Sequence, residues 1–263
     1  MSGPPPSAGK PSVAELFDSL AGSYDQTGVE FFRPVGARLV ELLEPGVGQR
    51  VLDVGCGRGA VTVPLAQAVG ENGHVTAVDV SPAMAEATRQ VLAAAGHRAA
   101  VVVDDASALS VGDGFDRVAS SLVLFFLPDP AAALAGWVAR ARPDGGRVGL
   151  TTFGPIDDTS RALDALFEPW LPGDLLDART TGARGPFASD EGMADLMREA
   201  GADRVDTVVE PVEIRFEDVA AWHRFSMTTG QRAMWAHVPE AERPGVLRKA
   251  AEILEQARTG ETT

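Results

Sequence analysis

The sequence predicts a doubly wound α/β fold, a mostly parallel sheet with helices on both faces. Three observations lead to this prediction. Five valine-rich runs with little polar alternation are typical of strands buried on both faces. Helix-like segments separate most of these runs, which is the alternation that builds a parallel sheet. A glycine-rich turn follows the first run. The runs lie at 50–54, 74–80, 99–105, 115–124 and 146–153.

The helical segments between the runs carry their own start and stop signals. They lie at about 59–70, 82–95 and 130–142. In the second, Ser81 stands at the N-cap, Pro82 at the first helical position and Gly96 just past the end. In the third, Asp129 and Pro130 repeat that start. These signals place each helix directly after a strand.

Two flanking regions complete the chain. Residues 12–43 look helical, and residues 1–11 are expected to form a disordered leader. The core is expected to span 12–153, with 154–263 as the rest of the sheet and a helical cap in the same domain. Within that last region, we expect a helix near 190–201, a strand within 203–216, and helices at about 217–230 and 239–257.

Composition limits the classes of function. The 263 residues include 23 Lys and Arg against 37 Asp and Glu, a net charge of −14, and no basic run that would bind a phosphate backbone. Nucleic acid is therefore not an expected partner. No apolar stretch is long enough to span a membrane, and no signal pattern precedes the core, so a cytoplasmic location is expected. The single Cys56 cannot form an internal disulfide or a thiolate zinc cluster, and no metal site is expected.

The glycine-rich turn is compatible with two nucleoside cofactors, a nicotinamide dinucleotide and S-adenosylmethionine. The stretch "GCGRGA" satisfies the loose dinucleotide pattern through Gly55, Gly57 and Ala60. However, Asp53 lies two positions before the first glycine, where its charge would repel a pyrophosphate in a partly dry site. The ammonium and sulfonium of S-adenosylmethionine would instead be stabilised by that carboxylate. The turn therefore favours S-adenosylmethionine over a nicotinamide dinucleotide.

Two more acidic residues end the following strands. Asp79 stands twenty residues after Gly59, where a carboxylate can accept hydrogen bonds from both ribose hydroxyls. Asp105 ends the third strand, where it can accept a bond from an adenine amino group while the Ala106 amide faces a ring nitrogen. Both cofactors contain a ribose and an adenine, so these residues indicate a nucleoside without choosing between the two.

The chain resembles the class I S-adenosylmethionine-dependent methyltransferases. The resemblance rests on the acidic and glycine-rich motifs above together with "LFDSLAGSYD", "FDRVASSLVLFFLPDP" and "RPDGGRV", and it covers residues 12 to about 153. It is strongest for the small-molecule group that includes the quinone-biosynthesis enzymes. The resemblance implies a seven-stranded type of sheet, and S-adenosylmethionine as cofactor.

The resemblance also implies roles for individual residues. Gly55 and Gly57 would lie against the methionine part of the cofactor, Asp79 against the ribose, and Asp105 with Ala106 against the adenine. Ser121 would offer a backbone carbonyl to the ammonium, and Tyr24 would lie near the methionine end. The further residues expected to contact the cofactor are Asp53, Cys56, Val80 and Met84.

The acceptor site is predicted from two features: a difference from related sequences after the fourth strand, and the composition of the cap. Relatives often have histidine where this chain has Phe125 and Phe126, so a base from that position is absent and an apolar acceptor wall is expected. The stretch 222–237 is rich in Trp, Met and His, which fits either the inner face of a lid or a second small core. As a lid it would supply Trp222, Met227 and Trp235 to the acceptor and His223 as general base.

The predicted function is methylation of a small, hydrophobic metabolite by in-line methyl transfer. Catalysis would come mainly from holding the nucleophile in line with the methyl group. Three alternatives remain: a cyclase or other non-methylating enzyme that binds the same cofactor, an NAD(P)-dependent oxidoreductase, and a non-catalytic binding protein that holds the cofactor without turnover. The oxidoreductase is disfavoured by Asp53 and by the absence of a Tyr-x-x-x-Lys pair, since Gly28 lies four residues after the single Tyr24.

Overall fold

A computed structural model describes residues 12–22, 24–25, 27–171, 185–229 and 231–260. The expected leader, residues 1–11, lies outside this range. The described residues form one five-stranded parallel sheet with strand order β3-β2-β1-β4-β5. The strands are β1 (Arg50–Val54), β2 (His74–Asp79), β3 (Ala100–Val103), β4 (Arg117–Ser121) and β5 (Arg147–Thr151).

Helices surround this sheet and extend beyond it. The first five are α1 (Val13–Leu20), α2 (Phe32–Leu43), α3 (Thr62–Val69), α4 (Pro82–Ala94) and α5 (Pro130–Arg140). After β5 come α6 (Asp158–Ala165), α7 (Asp190–Glu199), α8 (Val219–Ser226), α9 (Gln231–Trp235) and α10 (Arg243–Thr259). Short 3₁₀ turns form at Leu124–Phe126, Glu168–Trp170 and Gly185–Ala188. No helix in these ranges has both the length and the apolar character of a membrane span.

The core has one layer on each face of the sheet, as the doubly wound prediction requires. Val51 of β1 packs into a cluster with α2, α3 and α4, whereas Leu52 and Val54 pack into a second cluster with α5 and α7. This alternation follows from the two-residue period of a strand. The predicted fold class is therefore confirmed.

The helix signals read from the sequence are present in the structure. The Ser81 hydroxyl accepts a hydrogen bond from the Met84 amide at 3.0 Å, and the Asp129 carboxylate accepts one from the Ala132 amide at 3.0 Å. Both bonds satisfy amides that the first turn of a helix leaves free. Residues 12–43 form two helices, with a break between Leu20 and Phe32.

The prediction of a strand within 203–216 was wrong. This segment forms no strand and pairs with no strand in the described part of the chain. Pro211 has no amide hydrogen to donate to a ladder, and Val208 and Val209 are 56% and 63% exposed. An ion pair between Glu210 and Arg38 joins the segment to α2 instead, with oxygen and nitrogen 2.6 Å apart. The described residues therefore contain five strands, where a seven-stranded type was expected.

The cap has a core of its own. Buried residues of α6, α8, α9 and α10, and of the segments that follow α6 and α9, pack together: Leu163, Phe167, Leu171, Trp222, Trp235, Val238, Val246 and Ala250. The Trp235 indole donates a hydrogen bond to the Ser226 hydroxyl at 2.8 Å, which satisfies its one polar atom inside this core. The sequence did not indicate α6, although Asp157 caps it by accepting a hydrogen bond from the Ser160 amide at 2.6 Å.

Candidate cofactor and acceptor site

The glycine turn is tied to β2 and leaves open space above one of its glycines. The amides of Gly55 and Cys56 donate to the Val78 carbonyl at 2.8 and 2.9 Å. Gly55 has φ +76°, and a Cβ there would lie 2.3 Å from a Val123 methyl carbon. Gly57 has φ +52°, and no atom lies within 4 Å of where its Cβ would be. Because L side chains rarely adopt these φ values, both positions require glycine or strain.

Asp53 is buried at the end of β1, and only one of its two carboxylate oxygens has a hydrogen-bond partner among the described residues. The residue is 1% exposed, and its Oδ2 accepts a hydrogen bond from the Thr62 hydroxyl at 2.5 Å. Its Oδ1 is buried and has no hydrogen-bond partner among the described residues. Burial raises the pKa of Asp53 to about 7, and the nearby charge of Asp79 adds to that effect. A cationic group placed against Oδ1 would relieve this cost.

Asp79 lies at the end of β2 and is held by two backbone amides. Its Oδ2 accepts from the Gly57 amide at 2.8 Å, and its Oδ1 accepts from the Ser81 amide at 2.9 Å. Burial raises the pKa of Asp79, while these two bonds lower it. Each oxygen keeps a further lone pair, so the carboxylate can accept two more hydrogen bonds. Val80, which follows Asp79, is half-buried.

Helix α1 covers the start of α4 beside this carboxylate. Asp18 of α1 accepts hydrogen bonds from the Ser81 hydroxyl at 2.5 Å and from the Ala83 amide at 3.1 Å. Met84 is 1% exposed beneath Leu20. Burial, with the charges of Asp25 and Asp79, raises the pKa of Tyr24 far above its usual value. Its hydroxyl therefore stays protonated at neutral pH.

The end of β3 presents an exposed carboxylate. Asp105 is exposed, and its side chain accepts a hydrogen bond from the Ser107 amide at 2.8 Å. The Ala106 carbonyl accepts one from the buried Trp137 indole at 2.8 Å. The neighbouring Asp104 accepts a hydrogen bond from the Ser110 amide at 2.8 Å, and this bond stabilises the turn. The two residues predicted to contact adenine, Asp105 and Ala106, thus lie in a turn that is stabilised by hydrogen bonds at the carboxyl edge of the sheet.

The end of β4 carries backbone strain. The Ser121 and Thr151 hydroxyls lie 2.9 Å apart, which links β4 to β5. Leu122, the next residue, has φ +59° and is 9% exposed. A leucine in the left-handed region costs on the order of 1–3 kcal/mol, and such strain clusters at functional sites. Leu122 was not predicted as a site residue, because its sequence context does not indicate this conformation.

Seven aromatic side chains surround the region beyond β4 and β5, and we call them the aromatic cluster. Each ring contacts two others, so that the contacts close into a loop, with centroid distances from 4.6 to 6.2 Å. They come from α1, the segment between α1 and α2, the start of α2, and the segments after β4 and β5. The members are Phe17, Tyr24, Phe31, Phe32, Phe125, Phe126 and Phe153.

Part of this cluster faces solvent. Phe126 and Phe153 are 41% and 44% exposed. From the cap, Phe225 reaches the cluster and packs on Phe31 at a centroid distance of 5.9 Å. The predicted residues Phe125 and Phe126 thus lie together in an apolar wall, and Phe225 is a member of that wall that the sequence did not indicate.

A cleft of about 390 Å³ lies between the end of α1 and the cap. One side is formed by Ser19, Leu20 and Thr27, and the other by His223, Arg224, Met227, Thr228 and Arg232. His223 follows Trp222 and precedes Phe225 by two positions, which places it about 200° around the helix axis from Phe225. His223 and Met227 therefore face the cleft, whereas Phe225 faces the aromatic cluster.

The comparisons with known proteins agree with this geometry. A family described as a methyltransferase domain matches residues 51–145. The nocamycin O-methyltransferase of Saccharothrix syringae is 37% identical over 254 residues, which cover 91% of this chain and 88% of that protein. The chain belongs to the S-adenosylmethionine-dependent methyltransferases. Its cofactor is therefore S-adenosylmethionine and not a nicotinamide dinucleotide.

Two further proteins are similar to this chain. The aklanonic acid methyltransferase of Streptomyces sp. strain C5 is 39% identical over 170 residues, covering 64% of this chain and 77% of that protein. A crystal structure of a putative S-adenosylmethionine-dependent methyltransferase from Methanococcus maripaludis superposes with a TM-score of 0.51 at 18% identity, covering 75% of this chain and 87% of that one. The structural similarity supports the fold.

The position of the two cap tryptophans in this methyltransferase departs from expectation. Trp222 and Trp235 are each 2% exposed. Their ring contacts among the described residues are with each other, with Phe167 and with His223. They form the core of the cap. The structure therefore places these two residues in a second small core and not on the inner face of a lid over the acceptor. Phe225 is instead the residue of the stretch that contacts the aromatic cluster.

Proposed function

We propose that this methyltransferase methylates an oxygen of a small, apolar acceptor that binds against the aromatic cluster. The observation that carries the proposal is the closed loop of seven rings at the carboxyl ends of β4 and β5, where ligands bind in doubly wound sheets. The choice of oxygen is supported by the relative named an O-methyltransferase. The net charge of −14 supports a metabolite over a nucleic acid.

The residues at the strand ends fit the cofactor. The unpartnered Oδ1 of Asp53 can face its cationic part, the open space above Gly57 admits its methionine portion, and Asp79 can accept both ribose hydroxyls. Asp105 and Ala106 would contact the adenine, and the Ser121 carbonyl and Tyr24 the methionine end. Cys56 is 5% exposed and Met84 1% exposed, so these two would support the site from behind. When bound, S-adenosylmethionine supplies an electrophilic methyl group.

The aromatic cluster would act by orientation and by excluding water. Placing an acceptor against Phe126 and Phe153 removes exposed apolar surface from water, which is worth about 25 cal/mol for each Å². The Tyr24 hydroxyl, which stays protonated, can donate a hydrogen bond to an acceptor oxygen. Holding that oxygen in line with the methyl group is the main catalytic contribution.

His223 lines the cleft and not the aromatic cluster, so it is the proposed general base only for an acceptor whose reacting oxygen lies at the mouth of the cleft and must lose a proton. Burial lowers its pKa, and the positive charge of Arg243 lowers it further, so the imidazole is neutral and can accept a proton at neutral pH. For such an acceptor, His223→Ala should lower turnover and leave the affinity for S-adenosylhomocysteine unchanged. An unchanged rate would show that positioning alone suffices.

An acceptor screen tests the proposal. Incubation of the wild-type protein with isotopically labelled S-adenosylmethionine and a panel of aromatic hydroxy compounds and acids should give labelled methyl ethers or esters, detected by mass spectrometry. Phe126→Ala should raise KM for the acceptor, while Val47→Ala, which removes an exposed valine outside the cluster, should not. Labelled products methylated only on carbon or nitrogen would overturn the choice of oxygen.

A further inference from the structure

The cleft between α1 and the cap has an unusual charge for this acidic chain. Its described lining contains Arg224, Arg232 and His223, and it contains no carboxylate. The chain as a whole has 37 acidic residues against 23 basic ones. A cleft with two guanidinium groups and no acid is therefore a local positive site on a negative protein.

The two cleft arginines are unpaired. Ion pairs in the described ranges all use an arginine, and they occur at ten arginines elsewhere: Arg33, Arg38, Arg89, Arg142, Arg147, Arg161, Arg198, Arg204, Arg215 and Arg258. Neither Arg224 nor Arg232 has a carboxylate within ion-pair distance or a side-chain hydrogen bond among the described residues. Their guanidinium donors are thus available to a ligand.

A third arginine strengthens the positive field. Arg243 donates hydrogen bonds only to backbone carbonyls in the described structure, those of Val238 at 3.3 Å and Trp235 at 3.4 Å. Its charge is not neutralised by these bonds, and together with burial it lowers the pKa of His223. The cleft therefore favours a negative ligand over a further cation.

The cleft adjoins the aromatic cluster. Leu20 lines the cleft and packs in one hydrophobic cluster with Phe17 and Tyr24, both of which belong to the aromatic cluster. On the other side, α8 presents Phe225 to the aromatic cluster and Arg224 to the cleft. A molecule whose apolar body contacts the aromatic cluster can therefore extend a substituent into the cleft.

We infer that this cleft binds a carboxylate of the acceptor through Arg224 and Arg232, outside the aromatic cluster. The inference rests on the proposed function, since it assumes an apolar acceptor at the aromatic cluster. Guanidinium groups match a carboxylate with two parallel hydrogen bonds, which gives orientation as well as affinity. The carboxylate would anchor the acceptor and select acidic compounds over neutral ones of the same shape.

The test uses two probes that differ in charge, 2-naphthoate and its neutral amide, 2-naphthamide. Their dissociation constants are measured by ligand-observed NMR with the wild-type protein saturated with S-adenosylhomocysteine. We expect 2-naphthoate to bind about tenfold more tightly, which corresponds to about 1.4 kcal/mol. The double variant Arg224→Gln/Arg232→Gln should bind both probes equally. Arg248→Gln, which removes an exposed arginine of α10 outside the cleft lining, should preserve the difference.

The outcomes separate the two proposals. Equal binding of the two probes to the wild type, or a difference that survives in the double variant, would overturn the cleft and leave the aromatic site intact. Binding of neither probe would overturn both. A weaker affinity of the double variant for S-adenosylhomocysteine would assign the arginines to the carboxylate of the cofactor instead, and would also overturn the inference.

Discussion

The sheet core and the cap differ in how their sequences specify their structures. In the core, short local signals determine position: Ser81 and Asp129 cap their helices, and Gly55 and Asp53 occupy the end of β1. In the cap, Trp222 and Trp235 are held by contacts with each other and with Phe167. The positions of residues in the core can therefore be predicted from the sequence, whereas the role of a cap residue depends on which side of its helix packs inward.

The largest expected effect is on the glycine turn. Gly55→Ala should destabilise the protein by about 3 kcal/mol or more, because it adds left-handed strain and places a Cβ 2.3 Å from Val123. Gly57→Ala is the matched control, with a similar φ and no neighbouring atom within 4 Å, and should cost only about 1 kcal/mol. Denaturant unfolding of both variants measures the difference. Equal losses would refute the steric argument.

The next effect concerns cofactor affinity. Asp79→Ala should weaken binding of S-adenosylhomocysteine by at least about tenfold, because hydrogen bonds to a charged acceptor are worth about 1.5–3 kcal/mol each. Asp105→Ala should cost less, since Asp105 is exposed and its bonds compete with water. Isothermal titration calorimetry gives both constants. If Asp79→Ala bound normally, the ribose assignment would have to be abandoned.

A change in the cap core should separate stability from cofactor binding. Trp235→Phe removes the indole that donates to Ser226 and shrinks a buried side chain, so we expect a loss of about 2 kcal/mol. The affinity for S-adenosylhomocysteine should not change, because Trp235 packs within the cap. Thermal unfolding with and without ligand checks both statements. A parallel loss of affinity would show that the two regions are coupled.

A separate expected effect, whose size depends on the pH range compared, is a pH dependence centred on Asp53. In the cofactor-free protein the pKa of Asp53 is raised from 3.8 to about 7, so the native state binds this proton more tightly than the unfolded chain. Its stabilising contribution is present below pH 3.8 and is lost as pH rises through about 7. Binding of cationic S-adenosylmethionine should strengthen over the same window, because the carboxylate form faces the cation.

The control for that prediction is Asp53→Asn. This variant cannot lose a proton, so the part of the pH dependence of stability and affinity that is due to Asp53 should disappear between about 5 and 8, while the contributions of Asp79 and His223 remain. Denaturant unfolding and calorimetry at several pH values provide the comparison. A wild-type profile that matched the variant would show that Asp53 keeps an ordinary pKa.

The sequence was sufficient for the fold class and for the identity of the cofactor, and the residues assigned to the cofactor site stay predictions. Asp53, Asp79 and the glycines were predicted because each strand end imposes a residue type at a short, fixed spacing. The aromatic cluster could not be predicted in this way, because Phe17, Phe31 and Phe153 come from three distant segments that only the fold brings together. Leu122 has a φ of +59°, and leucine is not a residue type that indicates this conformation in a sequence.

The misjudged parts have physical causes as well. Residues 203–216 have the valines of a strand, but Pro211 and the charged positions around it prevent a ladder. In the stretch 222–237, composition indicated large side chains near one another without indicating their direction. One turn of α8 sends Trp222 into the cap core, Phe225 to the aromatic cluster and His223 to the cleft.

The contact between Asp18 and α4 links the cofactor site to the kinetics of its exchange. Asp18 accepts from the Ser81 hydroxyl and the Ala83 amide, and Leu20 covers Met84 beneath it. Lifting α1 breaks both bonds at once and exposes a buried thioether to water. We expect the spent cofactor to leave only when this eight-residue helix detaches, in which case one opening event would set both product inhibition and turnover frequency.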